Sequence, residues 1–573
     1  MAGLVRTFER RATVSVQLNG GAGVVAWIDE TGLTSLTLNG VPVLSGGLQA
    51  ESSGSRFGIA DASLGTLLAS SFTPVSGTAA RVFHQYQNGR AEFLYTLSGE
   101  DLTITATVTP TVPITVLGVT GLITPWVFGD VSGLLGGTGT DITDKGISQF
   151  HPSVFNPIGA AYRVAPNSSY AICAYPVNAG LQRTLMHWTG IDVGGTLMQT
   201  LEWFVVPSTF RYPPSTVTNA VCAAQAPVFS SGIHAQEPFT FTVGLRVSSD
   251  TSWAHLLAPY KTQFATTFGP CVYAAARDDR PITISFPGRG DMVGPTNPYG
   301  LLAGNYRFDV SATPWCDAYI GAMGTAGCQG VIFWSLNGVD SRFPGTLGGG
   351  LNYNPDVHIL PAEIEATRPA LLSALQGASL VLGRECQPHW VRSRFAWDQD
   401  EFYTIAGIDG TALADCLARY DTAIAQGFTR FYCDTFPSTF NDHLILKALR
   451  DHWGATSPLV YTEFCTDVSM VYAGAYAEVS GTAPSYMVGA YDNNLQGSGL
   501  SYLSIIRWML LGTSVAVADR SASNWSTAYL DFLYQHQLTP LPQDQELATV
   551  SGLPAALAAR NATYLVANQF PVS

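Results

Sequence analysis

At 573 residues the chain is too long for one ordinary hydrophobic core, so two or more domains are expected. A composition with 46% hydrophobic and only 12% charged residues excludes a disordered chain. The formal net charge of −14, from 42 acids against 28 bases, argues against nucleic acid as a partner, because phosphate binding needs a basic face.

The N-terminal MAGLVRTFERRATVSVQL lacks the apolar stretch of a signal peptide. The expectation is a chain that is cytoplasmic as made, or virion-associated or released without a leader. Both a homo-oligomer and association with a phage particle are compatible with such a chain. The longest apolar stretch, Ile505 to Asp519, is interrupted by Arg507 and Gly512 and is too short to span a bilayer. Nine cysteines, with no CxxC pair, argue for reduced and mostly buried thiols.

Up to about residue 250 the pattern is β throughout. RATVSVQL (11–18), LTSLTL (33–38) and DLTITATV (101–108) alternate apolar and polar residues, and FTFTVGLRV (239–247) closes the set. Asn19-Gly20, Asn39-Gly40 and Asn88-Gly89 are hairpin-turn signals between such runs. Two antiparallel sheets packed face to face over residues 1–250 are the expected result.

From Trp253 the period changes. Residues 253–268 read as a linking helix with Leu256, Leu257, Tyr260 and Phe264 on one face. Short apolar runs then alternate with helical segments. The runs are 281–288, 330–338, 378–386, 428–436, 458–465, 485–492, 513–520 and 562–570. Helices are expected at 361–376, 411–427, 439–453 and 499–512, the second ended by Gly427. Strand then helix, about eight times over, predicts a (β/α)8 TIM barrel in residues 251–573. The fold class is thus multidomain, an antiparallel β-sandwich followed by an α/β barrel.

Barrel enzymes carry their reactive side chains at the C-terminal ends of the strands. Here the fourth run ends in Asp434 (FYCDTF) and the fifth in Glu463 (VYTEF). Neighbouring strands lie about 4.8 Å apart. Two inward carboxyls at one height can therefore approach to roughly 5–5.5 Å, the separation of nucleophile and acid/base in a retaining glycosidase. The nucleophile must stay ionised and the acid must hold a proton, so one needs donors and the other an apolar wall. Tyr432, Tyr461 and Phe464 are placed to supply both. Further acids end other runs: Glu385 the third, Asp492 the sixth, and Asp519, beside Arg520, the seventh. Any one of them has a structural alternative as a helix cap, a turn residue or an arginine partner. Trp334, Asn337 and Asp340, with His389, Trp390, Trp397 and Asp398, are candidate walls and hydroxyl clamps of a sugar subsite. No His stands at ligand spacing from His389, so no metal is expected, and no nucleotide-binding or nucleophile-elbow motif calls for a cofactor. Cys433 alternates with Asp434 and should face away from the barrel axis.

A sandwich, a linking helix and a barrel, with FYCDTF and VYTEF at the ends of the fourth and fifth strands, resembles the retaining α-glycosidases. These include the α-galactosidases, the endo-α-N-acetylgalactosaminidases and the α-amylase superfamily. The resemblance to α-amylases implies Asp434 as nucleophile and Glu463 as acid/base. The α-galactosidases place their acid on strand six, a part that Asp492 would play, so the two acids stand as alternatives. The sequence departs from the α-amylase pattern at Tyr432, where those enzymes carry Arg; Arg430 lies two residues further back. The function expected is hydrolysis of an α-linked glycan or cell-surface polysaccharide by two carboxylates. The alternative is a non-catalytic carbohydrate-binding or adhesion protein, such as a phage tail component, on the same scaffold. Either way the partner is an oligo- or polysaccharide.

Overall fold

The computed structural model describes residues 15–45, 49–52, 64–112, 117–127, 132–135, 159–177, 183–193, 196–206, 210–211, 228–229, 238–274, 277–285, 319–334, 362–386, 390–394, 401–404, 410–433, 443–454, 458–462, 467–479, 502–519, 525–535 and 537–565. The chain divides into two compact units. One comprises Met1–Phe150, Gly159–Phe210 and Val228–Thr267, the other His151–Ile158, Arg211–Pro227 and Phe268–Ser573.

The first unit holds two antiparallel sheets of eight strands each. One runs in the order Val16–Asn19, Val24–Asp29, Gly32–Leu38, Val41–Ser45, Leu117–Val127, Thr196–Val206, Arg183–Val193, with Gln49–Ser52 also on Leu117–Val127. The other runs Ser132–Leu135, Ala161–Val164, Ala171–Val177, Phe239–Ser248, Asp101–Pro110, Gly89–Ser98, Ala79–Tyr86, Leu67–Ser76. Their facing side chains form one core: Leu18, Ala26, Ile28 and Leu36 from the first sheet meet Val82, Phe93, Ile104 and Val243 from the second. The strand at Asp101–Pro110 shows how the sequence does this, since every second residue is buried along its whole length. Asn39 and Gly40 both take positive φ (50° and 81°), as the two central residues of a tight hairpin turn should. At the next Asn-Gly the turn lies one residue earlier, at Gln87-Asn88, and Gly89 already opens a strand. A Cβ there would meet the Thr109 carbonyl oxygen at 2.8 Å, and φ is 155°, so close packing and backbone conformation both select that glycine. The helix Trp253–Phe268 buries the four residues its sequence period singles out, Leu256, Leu257, Tyr260 and Phe264.

His84 sits inside this sandwich, 1% exposed. Its Nε2 lies 3.3 Å from the Glu30 carbonyl oxygen and its Nδ1 3.2 Å from the Tyr86 hydroxyl. Burial pulls its pKa below the usual imidazole value, against the opposing pull of the Glu30 carbonyl. A base with a lowered folded-state pKa contributes stability above its unfolded value, near 6.5, and loses it as pH falls towards the folded value. Unfolding of the sandwich followed by urea titration should therefore weaken from pH 7 to pH 5, by at most about 1.4 kcal/mol per pH unit from this group. His84→Gln should flatten that slope. An unchanged slope would assign the acid sensitivity elsewhere.

The second unit is a parallel eight-stranded sheet: β1 (Ile282–Ser285), β2 (Gly330–Phe333), β3 (Val381–Glu385), β4 (Phe428–Cys433), β5 (Leu459–Thr462), β6 (Gly474–Val479), β7 (Val515–Asp519) and β8 (Thr539–Leu541). The Ile284 amide donates to the Pro542 carbonyl at 3.0 Å and brings β8 back to β1, so the sheet closes on itself. Between and after the strands lie α1 (Gly321–Ala326), α2 (Ala362–Gly377), α3 (Gly410–Ala425), α4 (His443–Trp453), α5 (Tyr502–Met509), α6 (Thr527–Gln535), α7 (Asp544–Thr549) and α8 (Leu553–Arg560). Between β5 and β6 the described residues form a 3-10 turn, Ser469–Val471. Gly427, at φ 97°, ends α3 by donating its amide to the Ile424 carbonyl at 2.9 Å.

Two strands differ from the expectation. The sixth is Gly474–Val479, not the run at 485–492, which lies outside the described residues. The eighth is Thr539–Leu541, whereas Asn561–Leu565 forms a helical turn on α8. In both cases a longer, more apolar run outweighed a short strand of small or turn-forming residues, GAYAEV and TPL.

The barrel interior is filled by Ile284, Ile332, Trp334, Tyr432, Leu459, Tyr461, Ala516, Ala518 and Leu541, with Cys271 and Tyr273 from the segment before β1. At the N-terminal end the Tyr273 hydroxyl accepts from the Ser514 amide at 3.1 Å, and the Arg450 guanidinium lies 5.3 Å from the Tyr273 ring centre. Among the described residues no helix is long and apolar enough to cross a membrane. The six described cysteines are all free and buried.

Candidate active site

The interior face of a parallel strand is set by alternation, and neighbouring strands in register share it. Tyr432 and Tyr461 are register partners on β4 and β5 and both belong to the interior cluster. Glu385, the last residue of β3, is the register partner of Tyr432 and is 3% exposed. Trp334 follows β2, and its amide donates to the Ser285 carbonyl at 2.8 Å, which continues the ladder by one residue. Its ring stacks on that of Tyr432 with centroids 4.5 Å apart and planes 11° from parallel. Trp334, Glu385, Tyr432 and Tyr461 therefore form one layer near the C-terminal end of the barrel.

The residues between them point the other way. Phe431 and Cys433 lie against α3, where Tyr420 meets the Phe431 ring edge-on at 5.0 Å and its hydroxyl lies 3.3 Å from Cys433 Sγ. Cys433 thus faces the helices, as its alternation with Asp434 implies. Arg384 stands on the same outer side, its guanidinium carbon 5.1 Å from the Phe428 ring centre. The Tyr461 hydroxyl lies 3.3 Å from Ser514 Oγ, and burial pushes its pKa up, so it stays protonated and able to donate.

Of the sequence candidates, four are thus brought into one layer: Trp334, Glu385, Tyr432 and Tyr461. Trp390 opens a two-stranded antiparallel hairpin after β3, Trp390–Arg394 against Glu401–Thr404, where its partner is Thr404. Asp519 closes β7 opposite Val479. Asn337, Asp340, His389, Trp397, Asp398, Asp434, Glu463, Asp492 and Arg520 lie outside the described residues. Asp434 and Glu463 immediately follow Cys433 and Thr462, the last register pair of β4 and β5. The acid carried by the sixth strand itself is Glu478, the register partner of the interior residue Ala518. Among the described residues no group of three or more His, Cys, Asp or Glu gathers as metal ligands.

An antiparallel sandwich followed by a closed parallel barrel is an architecture shared with solved glycosidases. The α-N-acetylgalactosaminidase NagBb from Bifidobacterium bifidum, as a quadruple mutant, superposes with a TM-score of 0.57 at 12% identity, over 95% of this chain and 93% of that one. The same enzyme in complex with GalNAc matches with a TM-score of 0.51 at 12% identity, over 81% of this chain and 78% of that one. The GH36 α-galactosidase AgaB from Geobacillus stearothermophilus is a looser match, with a TM-score of 0.42 at 10% identity over 92% of this chain and 74% of that one. No protein-family model matches the chain, and neither does any curated protein.

Proposed function

We propose that the protein is a retaining glycoside hydrolase acting on an α-linked sugar, with residues 251–573 as its catalytic barrel. The observation that carries this reading is the register of β4 and β5. Cys433 pairs with Thr462, and the next residue in each strand's sequence is an acid, Asp434 and Glu463. On strands about 4.8 Å apart, two inward carboxyls directly after such a pair would approach to roughly the 5–5.5 Å that a retaining mechanism needs. The shared architecture with an α-N-acetylgalactosaminidase supports the same reading and suggests terminal α-linked N-acetylgalactosamine or galactose as first substrates.

In this mechanism the Asp434 carboxylate attacks the anomeric carbon while Glu463 gives its proton to the departing glycosidic oxygen. A glycosyl ester on Asp434 results. Glu463, now ionised, takes a proton from water, which attacks the same carbon and releases the sugar with its original configuration. The stacked Trp334 and Tyr432, each 1% exposed, are proposed as the apolar support beneath the sugar subsite, and apolar surroundings also favour a protonated acid. Glu385, the register partner of Tyr432, is the candidate in this reading for holding a sugar hydroxyl.

The test is proton NMR of the first-formed sugar during cleavage of aryl α-N-acetylgalactosaminide and aryl α-galactoside. Early appearance of the α anomer is expected. Early β anomer would mean inversion and remove Asp434 as nucleophile. Binding without cleavage of any α-glycoside would favour the carbohydrate-binding alternative.

A further inference from the structure

Two cysteines lie side by side at the end of the barrel that the proposed mechanism uses. Cys433 is the last residue of β4, and Cys386 directly follows Glu385 at the end of β3. Their Sγ atoms are 3.8 Å apart. The Cys386 amide donates to the Tyr432 carbonyl at 2.7 Å, so the two strands are still hydrogen-bonded at this level. Glu385 and Tyr432 are register partners, which makes Cys386 and Cys433 the next neighbours across the ladder. Neighbouring strands stand about 4.8 Å apart, within the Cα separation of about 4.4–6.8 Å that a disulfide accepts. Both thiols are fully buried, and both reach the hydroxyl of Tyr420 on α3, at 2.6 Å from Cys386 and 3.3 Å from Cys433.

We propose that Cys386 and Cys433 are an oxidisable thiol pair that a small peroxide closes to a disulfide, and that closure reshapes the barrel mouth at Glu385 and Asp434. The sulfurs need approach by less than about 2 Å to reach bonding distance, so no strand has to be rebuilt. In the first step one thiol, as thiolate, attacks a peroxide oxygen. The O–O bond breaks, a sulfenic acid forms, and the released hydroxide takes up the thiol proton as water. The second sulfur then displaces the sulfenic hydroxyl, which leaves as a second water with the second thiol proton. Two thiols and one hydrogen peroxide thus give one disulfide and two waters. Burial pushes the Cys386 thiol well above its usual pKa, which keeps the thiolate scarce and makes closure slow near neutrality. The consequence follows from position. The new bond ties the ends of β3 and β4 to each other and removes the thiol hydrogens that meet the Tyr420 hydroxyl. Glu385 and Asp434 are each one residue from the crosslink.

The test treats the folded, full-length protein with hydrogen peroxide, then alkylates it in denaturant and maps its peptides by mass spectrometry. A peptide pair linked through Cys386 and Cys433 is expected, lighter by two hydrogens, formed faster at pH 9 than at pH 7 and reversed by dithiothreitol. Cys386→Ala and, as an independent variant, Cys433→Ala should each abolish it. Full alkylation of both cysteines after peroxide exposure that oxidises exposed methionines would overturn the proposal, as would a crosslink to Cys416 instead. The effect on the mouth rests on the glycosidase reading and is measured separately. Turnover of an aryl α-glycoside should fall at least threefold on crosslinking and recover with dithiothreitol. A crosslinked protein with unchanged turnover would overturn the coupling to the mouth. A protein that crosslinks but never cleaves a glycoside would count against the glycosidase reading, with the thiol pair established by mass alone.

Discussion

Asp434→Asn should lower turnover of an aryl α-glycoside by on the order of 10⁴-fold, with sugar binding kept within a few-fold. The carboxamide has nearly the shape of the carboxylate but neither its charge nor the electron pair that forms the glycosyl ester. Binding contacts to a ground-state sugar survive the change, and the interaction made only in the transition state does not. Asp434→Gly with azide gives a sharper reading. A small anion can occupy the vacated space and attack the anomeric carbon once, so turnover should return and the product should be the β-configured glycosyl azide. The acid is identified by a different signature. Glu463→Ala should cut turnover strongly for a poor leaving group that needs protonation, and much less for a dinitrophenolate that does not. If Asp492→Asn shows that dependence on leaving group and Glu463→Ala does not, the acid is Asp492 and the α-galactosidase pattern applies. Less than a tenfold loss in Asp434→Asn would end its assignment as nucleophile.

The features most legible in the sequence were those with a strict period. Alternation in DLTITATVTP placed its residues on the two faces of a sandwich strand, and 3.6-residue spacing picked out all four buried residues of the helix Trp253–Phe268. The largely buried strands β2 to β5 read as near-continuous apolar runs, and all four lie where those runs stand. Legibility failed where a barrel strand is short and made of small residues. GAYAEV at β6 has little apolar mass because Gly474 must lie against the Tyr461 ring, which a Cβ would meet at 3.0 Å. TPL at β8 is a three-residue strand whose pairing is dictated by ring closure and not by propensity. The aromatic layer was legible only by type. Trp334 stood out as a sugar-subsite wall and Tyr432 and Tyr461 as neighbours of the two acids, but nothing local announces that Trp334 and Tyr432 stack on each other, because their contact joins β2 to β4 across the interior. The Cys386–Cys433 approach was hidden for the same reason, since strand register brings together residues that lie 47 apart in sequence.

Trp334→Ala is expected to be the most destabilising of the single changes considered, at about 3–5 kcal/mol. The indole is 1% exposed and lies flat on Tyr432 inside the barrel, so truncation removes a large buried surface and leaves a cavity that rigid neighbouring strands cannot close. With two compact units in the chain, a single global unfolding transition is not assured. The measurement is therefore hydrogen exchange by mass spectrometry, which reads peptides of β2, β3 and β4 separately from those of the sandwich. Protection should drop in the barrel strands and stay unchanged at Asp101–Pro110. Tyr432→Ala should cost a comparable amount, and the double variant should cost less than the two together, because each single change already breaks the stack. Additive costs would mean that the two rings act independently. Trp334→Phe separates packing from substrate contact. It keeps an aromatic face on Tyr432 and should recover most of the protection, while the smaller ring offers less surface to a sugar. If KM for an α-glycoside rises in that variant with kcat and exchange protection unchanged, the layer holds substrate as well as the barrel core. If KM and kcat are both unaffected, Trp334 is a core residue alone and the sugar platform must be built from other side chains.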